Sequence, residues 1–316
     1  MQHNFHLGEA NEIVWGGGYR RNTENFINDP PFVFAVPKRT LEHTNLYIQD
    51  TYAPTPAVKF VADIKFEHNQ MTGWEIMPSG RISWKAAEHT LLWAAVSRAV
   101  RTPNRIDREL ESFPLLIPAV SFQSEELLAY ELGYRGQLNS DMTLSISTYY
   151  NIYNDIRTTG TSAGGVPPLS LQNGRSGHTY GVEAWATYRT AEWVRLDAGI
   201  NAMEKKTHVA IGQVDLIPNQ HIGNDPGIQA SLRSTIFVTP EVDLNFAVRT
   251  VGDLPSPAVP AYTEVGARFS CRALPNLGLA VSGENLLNAN HPEVGDAASR
   301  RLVRRSFFGT VRWTYG

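Results

Sequence analysis

Tight connectors and long polar segments alternate along this chain, and both separate stretches in which apolar and polar residues follow one another singly. The tight connectors, of about three residues each, fall at 8–10, 54–56, 138–140, 190–192, 239–241 and 273–275. The long segments are 24–39, 102–125, 158–177, 207–225 and 288–303. Nothing in a soluble antiparallel barrel makes one end consistently short, whereas outer-membrane barrels combine short periplasmic turns with long extracellular loops. The rhythm therefore predicts strands that cross a membrane.

The alternation of side chains within these stretches has the period of a β-strand. In 242–249, one face carries Val242, Leu244, Phe246 and Val248, and the other carries Asp243, Asn245 and Arg249. The same pattern recurs in 58–67, 142–152, 227–238 and 263–272. These stretches run about 10–13 residues, longer than the usual soluble strand of 5–6 residues and close to the 9–11 of a tilted transmembrane strand.

The pattern predicts about fifteen strands, no helix and one continuous all-β unit over 1–316. Its expected architecture is an antiparallel up-and-down transmembrane β-barrel. The predicted strands are 1–7, 11–23, 41–53, 57–70, 78–86, 89–100, 126–137, 141–157, 178–189, 193–206, 226–238, 241–251, 261–272, 276–287 and 304–316.

The composition excludes several other classes of protein. Hydrophobic residues make up 42% and charged residues 19% of the chain, which argues against disorder. A net charge of −3 gives no support for a nucleic-acid partner. The single cysteine, Cys271, excludes an intramolecular disulfide framework and a thiolate metal cluster. No signal peptide is visible, and an outer-membrane protein needs one, so either an amino-terminal part is missing or the outer-membrane interpretation is wrong.

Four motifs, in order along the chain, resemble those of TonB-dependent outer-membrane receptors. In 260–295, a P-x-Y strand start and an x-N-L-x-[DN]-x-x-[YH] segment resemble the last hairpin region of that family. The matching residues are Pro260, Tyr262, Glu284, Asn285, Leu286, Asn288 and His291. The other matches are P-S-x-R-x-x-W followed by S-R-A-x-R-T-P within 77–105, Y-E-L-G-Y-R within 125–157, and G-V-E at 181–183.

The resemblance implies both an architecture and a function. Family members have a plug domain followed by a 22-stranded barrel, so 1–316 would supply the carboxyl-terminal portion of that barrel without the plug domain. Gly316 stands where the family usually ends on an aromatic residue. The implied function is active, TonB-coupled uptake of a scarce solute, most plausibly a ferric siderophore or similar iron complex. The implied partners are that ligand, outer-membrane lipid and lipopolysaccharide, and TonB through the missing amino-terminal segment; no cofactor is implied.

Four residues are candidate ligand contacts. Arg101, Arg105 and Arg108 enter the long segment 102–125, and a guanidinium fork suits carboxylate or catecholate oxygens. The alternative is that these arginines face lipopolysaccharide phosphates or only solvate the segment. Trp74 offers a surface on which a ligand could stack, but anchoring at the membrane interface is the favoured interpretation.

Other polar clusters point to structural roles. For the basic cluster Arg300, Arg301, Arg304 and Arg305, contact with lipopolysaccharide or a salt bridge is favoured over ligand binding. Glu125, Glu126 and Glu131 with Arg135 could be drawn as an acid/base group, but charges on neighbouring strands usually pair for structural reasons. With no glycine-rich phosphate loop and no nucleophile elbow, the chain is not predicted to be an enzyme. No metal spacing is found among the nine histidines, His3, His6, His43, His68, His89, His178, His208, His221 and His291.

Two other functions remain open from the sequence. A passive outer-membrane channel or porin would share the strand pattern, and a constriction loop without an upstream plug would distinguish it. A soluble all-β binding module would also show alternation, because a sandwich has one apolar and one wet face. Folding as a monomer without detergent would favour that module.

Overall fold

The computed structural model describes residues 1–161, 167–216 and 224–315. Among these residues, no helix is both long and apolar enough to span a membrane. The strands in chain order are β1 (Gln2–Leu7), β2 (Asn11–Asn25), β3 (Val33–Phe34), β4 (Lys38–Thr55), β5 (Val58–Asn69), β6 (Gly73–Ala87), β7 (Thr90–Arg101), β8 (Leu110–Glu111), β9 (Glu125–Asn139), β10 (Met142–Thr161), β11 (Leu169–Ala191), β12 (Val194–Val209), β13 (Ile228–Thr239), β14 (Val242–Val251), β15 (Leu254–Pro255), β16 (Ala258–Val259), β17 (Tyr262–Leu274), β18 (Leu277–Glu284), β19 (Asn290–Pro292), β20 (Leu302–Arg304) and β21 (Ser306–Trp313).

Fifteen of these strands form one large sheet, which confirms the predicted strand number and the all-β class. Their order is β1-β2-β4-β5-β6-β7-β9-β10-β11-β12-β13-β14-β17-β18-β21, so neighbours in the chain are neighbours in the sheet. Three two-stranded sheets, β3-β8, β15-β16 and β19-β20, lie in the long connections. Tight turns need unusual backbone angles, and glycine supplies them at Gly8 (φ +72°) and Gly73 (φ +81°).

The expectation of no helix was wrong in one place. Helix α1 spans Arg105–Glu109, within the segment predicted to be a long loop. Asn104 caps the helix, because its side chain accepts a hydrogen bond from the backbone of Asp107 (3.0 Å). The carboxylate of Asp107 accepts one in return from the backbone of Asn104 (3.1 Å). This reciprocal capping box stabilises a helix too short to show a periodic apolar face.

Several strand ends also differ from the predicted ends. Strand β11 begins at Leu169 instead of 178, and β10 continues to Thr161 instead of 157. These extensions are largely polar, so the alternation that marked the rest of each strand is missing there. Gly316, predicted to close the last strand, lies outside the described residues.

Residue contacts divide the chain into two compact units. The first comprises Met1–Leu132, Tyr149–Tyr180 and Lys205–Asn219, and the second comprises Gly133–Thr148, Gly181–Glu204 and Gln220–Gly316.

In the first unit, the register confirms two chemically distinct faces. One face aligns Trp15, Ile48, Ile64 and Pro78 across β2, β4, β5 and β6. The opposite face aligns Gln49, Asp63, Ser79 and Ser97 across β4, β5, β6 and β7. Ile48 remains 47% exposed although β4 is paired with a strand on each side, β2 and β5.

The second unit repeats this arrangement. Leu232, Val248 and Val265 align across β13, β14 and β17, while Ser231, Arg249 and Glu264 align on the other face. Leu232 is 47% and Phe246 is 45% exposed. In both units, therefore, apolar side chains in the middle of paired strands, such as Ile48, Leu232 and Phe246, stay partly exposed.

Candidate functional site

The long segment after β7 is held by a buried carboxylate. The side chain of Asp107 in α1 is 1% exposed and accepts hydrogen bonds from Nη1 of Arg101 (3.0 Å) and Nη1 of Arg157 (2.9 Å). Burial by itself would raise the pKa of this carboxyl. The backbone N–H of Asn104 and the two guanidinium groups outweigh that effect, so the pKa of Asp107 lies below its ordinary value.

We expect this segment to loosen in acid. A carboxyl whose pKa is lowered by folding stabilises the folded state fully above its unfolded pKa of about 3.9, and that contribution is lost as the pH falls through the folded pKa. Hydrogen exchange of residues 104–109, corrected for the intrinsic rate, should therefore be slow at about pH 6 and faster at about pH 3. In Asp107→Asn this acid-dependent increase should disappear, and an undiminished increase would contradict the assigned role.

Arg105 is the most enclosed of the predicted ligand contacts. It is 3% exposed, and its guanidinium lies over the stacked rings of Phe26 (5.2 Å) and Phe34 (4.9 Å). Its Nε donates to Oε2 of Glu109 (2.8 Å), and its other nitrogens donate to the carbonyls of Val36 and Pro37. Arg105 therefore joins 26–37 to α1 and presents almost no surface to a ligand.

Arg108 is bound to the backbone, whereas Trp74 is exposed. Arg108 donates to the carbonyl of Met71, and burial together with the nearby charge of Arg39 lowers its pKa. Trp74 is 62% exposed and its ring lies 5.0 Å from that of His68, its cross-strand partner. Strand alternation places Trp74 on the same face as Ile76, which is the apolar face.

Arg101 is the most exposed of the three arginines that were predicted as ligand contacts. Its side chain is 44% exposed and its Nε lies 2.5 Å from Oε2 of Glu125. Glu126 forms an ion pair with Arg98. Glu125 and Glu126, two of the residues considered above as an acid/base group, are thus both in ion pairs with arginines.

The basic cluster before β21 is partly engaged with the backbone. Arg300 donates to the carbonyl of Ala258 (3.2 Å) and Arg305 to that of Asn285 (3.4 Å). Arg301 and Arg304 are exposed. Asn285, which belongs to the N-L motif, is fully buried and has a positive φ of 54°.

The structure also assembles a group that sequence spacing did not reveal. Glu264, His291 and Glu293 bring one potential ligand atom each to within 4.8 Å of one another. Glu264 lies in β17 and His291 in β19, so no local motif links them; they meet because the connection after β18 folds back to β17. His221, another of the nine histidines, lies outside the described residues.

Comparison with known proteins gives a consistent result. The family described as TonB dependent receptor-like, beta-barrel, matches residues 1–286. No curated protein matches the chain. The siderophore receptor PirA from Acinetobacter baumannii has a TM-score of 0.79 at 14% identity, over 99% of this chain and 53% of that one. For the FrpB iron transporter from Neisseria meningitidis, the TM-score is 0.78 at 14% identity, over 99% and 54%.

A mutant of the ferric enterobactin receptor PfeA from Pseudomonas aeruginosa is similar to the same degree. Its TM-score is 0.77 at 15% identity, over 99% of this chain and 53% of the receptor. The chain thus spans about half the length of the solved structures that it matches. At identities of 14–15%, these TM-scores show a shared fold and nothing more about this chain.

Proposed function

Because this chain belongs to the TonB-dependent receptor-like β-barrel family, we propose that it serves in the uptake of a ferric siderophore or a similar iron complex. Proteins of this family are receptors and transporters of the bacterial outer membrane, and the chain is an outer-membrane protein. We propose that transport is coupled to TonB, and that 1–316 supplies the carboxyl-terminal portion of the barrel domain.

The exposed apolar face of the sheet carries this proposal. Ile48, Leu232 and Phe246 are 45–47% exposed in the middle of long strands, where hydrocarbon is the solvent that suits them. The opposite face bears paired charges such as Arg249 with Glu264, which suit a wet interior. A soluble sandwich would instead cover its apolar face with a second sheet.

The choice of ligand rests on the similar structures. Their printed names describe a siderophore receptor, an iron transporter and a ferric enterobactin receptor, and one PfeA mutant is described in complex with enterobactin. Each of these names refers to a siderophore or to iron, and a chelated ferric ion would reach this chain as cargo. This supports an anionic iron complex over other scarce solutes.

Titration of the purified chain in detergent micelles tests the proposal. Ferric complexes of catecholate and hydroxamate chelators should quench tryptophan fluorescence saturably, and the iron-free chelators should quench it less. Absence of binding to every iron complex, combined with non-selective conductance in planar bilayers, would favour a passive channel. A folded monomer without detergent would favour a soluble binding module.

Among the candidate contacts, we propose that Arg101 touches the ligand and that Trp74 anchors the strands at the lipid interface. Loss of a charged hydrogen bond costs about 1.5–3 kcal/mol, so Arg101→Ala should weaken binding of an anionic iron complex by about tenfold or more. Trp74→Phe should leave that affinity unchanged. Arg105 and Arg108 are proposed to act by holding the segment that carries the ligand surface. Equal losses in Arg101→Ala and Trp74→Phe would contradict the division of roles.

A further inference from the structure

A carboxylate–imidazole cluster lies where the long connection after β18 returns to β14 and β17. Its members are Glu264 in β17, His291 in β19 and Glu293 just after β19. The ring of His291 stacks on that of Tyr262, with centroids 4.2 Å apart and an angle of 23° between the planes. Its Nε2 lies 3.3 Å from Oε1 of Glu293. Stacking therefore fixes an imidazole with one nitrogen directed at a carboxylate.

The burial of His291 distinguishes the cluster from a solvated group of charges. The residue is 5% exposed, and its Nδ1 is buried without a hydrogen-bond partner among the residues that the structure describes. A polar ring placed this deeply usually has every nitrogen satisfied. The packing around His291 thus directs Nε2 to the carboxylate of Glu293 and leaves Nδ1 without a hydrogen bond among the described residues.

A single nitrogen atom of Arg249 already occupies the space between the two carboxylates. Its Nη2 lies 3.2 Å from Oε2 of Glu264 and 2.6 Å from Oε1 of Glu293. The guanidinium of Arg249 also lies 5.4 Å from the ring centroid of Tyr262, but the side chain is 46% exposed, so a bound ion can displace it into solvent. The two carboxylates therefore converge on a position that accepts positive charge.

We propose that Glu264, His291 and Glu293 form a binding site for a divalent transition-metal ion, which displaces the guanidinium of Arg249. One imidazole nitrogen and two carboxylate oxygens are a ligand set that suits Zn²⁺, with solvent completing the coordination. The ligand atoms lie within 4.8 Å, and ligands bound at about 2.0–2.2 Å must draw closer by rotation of the glutamate side chains. The bound ion would tie the connection after β18 to β17.

The affinity is expected to be modest, for two reasons. The ion has to compete with the guanidinium of Arg249, and strong zinc sites give the second imidazole nitrogen an acceptor that His291 lacks in the described structure. This site requires no iron complex and no TonB, so it goes beyond the uptake proposed above and is tested independently.

Calorimetric titration of the full chain in detergent with Zn²⁺ alone provides the test. The wild-type chain should bind about one ion, and Glu264→Gln or Glu293→Gln should weaken binding by about tenfold or more. Arg249→Met should strengthen binding by about tenfold, because it removes the competing cation. This increase separates a metal site from a purely structural ion-pair network, for which loss of Arg249 would give no gain in affinity.

Two controls protect the interpretation. His89, which is exposed in a tight turn of the first unit, reports adventitious binding to histidine, and His89→Ala should leave the Zn²⁺ affinity unchanged. The glutamine variants preserve shape, and an unchanged thermal unfolding transition will show that they fold. Absence of Zn²⁺ binding in both the wild type and Arg249→Met would overturn the proposal, as would binding that survives both glutamine variants.

Discussion

Replacing Ile48 with arginine is expected to lower the free energy of unfolding in a lipid bilayer by about 2–4 kcal/mol. Ile48 lies in the middle of β4, aligned with Trp15 on one side and Ile64 on the other. It is 47% exposed on a face that offers a guanidinium no carboxylate partner in that row. Denaturant unfolding of the chain reconstituted in vesicles, followed by tryptophan fluorescence, measures the cost.

The neighbouring residue provides a matched control. Gln49 has its side chain on the polar face, aligned with Asp63 and Ser79. Gln49→Arg introduces the same charge into the same strand, one position away, and should change the stability by no more than about 0.5 kcal/mol. If both variants lost equal stability, the assignment of one face to lipid would be wrong.

The strands were predictable because their signal is local and repeated. A period of two over ten or more residues leaves few alternatives, and a one-residue shift would move every apolar side chain to the wrong face. The same rule supports the interface anchoring that the sequence favoured for Trp74, since Trp74 differs from Ile76 and Ile82 by an even number of positions within β6. Parity alone therefore favours the lipid interface for Trp74.

What escaped prediction depends on contacts between distant residues or on polar pairing. The first nine residues of β11 are largely polar and show no alternation of apolar and polar side chains. They are held in the sheet by backbone hydrogen bonds, which leave no pattern in the sequence. Helix α1 did leave a sequence signal, Asn104 followed by Asp107, but five residues are too few for an apolar period. The capping pattern was the only local evidence for it.

The shared partner of Arg101 and Arg157 could not be read from the sequence. Asp107 is six residues from Arg101 but fifty from Arg157, and both bind the same carboxylate. Likewise, Glu264 and His291 meet only after β17 has paired and the connection after β18 has folded back. Which arginine remains available to a ligand therefore follows from three-dimensional packing.

Replacing Arg105 with methionine is expected to destabilise the folded conformation of the segment 102–124 by about 3–5 kcal/mol, the cost of breaking a buried ion pair. Methionine keeps much of the apolar contact with Phe26 and Phe34 but leaves the carbonyls of Val36 and Pro37 without their donor. Because the strands do not depend on this contact, the loss should appear as local opening. Hydrogen exchange of 102–124 and 26–37 measures it.

A graded series shows whether the charge or the planar fork of Arg105 matters more. Arg105→Lys keeps the charge but loses the flat group that lies over the rings of Phe26 and Phe34, so its exchange rate should lie between those of the wild type and Arg105→Met. Arg21→Met removes an exposed arginine 3.7 Å from Glu42 and should cost less than about 1 kcal/mol. Since Arg105 joins 26–37 to α1, opening of these segments should also weaken the proposed binding of an iron complex. Unchanged exchange in Arg105→Met would show that the segment is held by the Asp107 ion pairs alone.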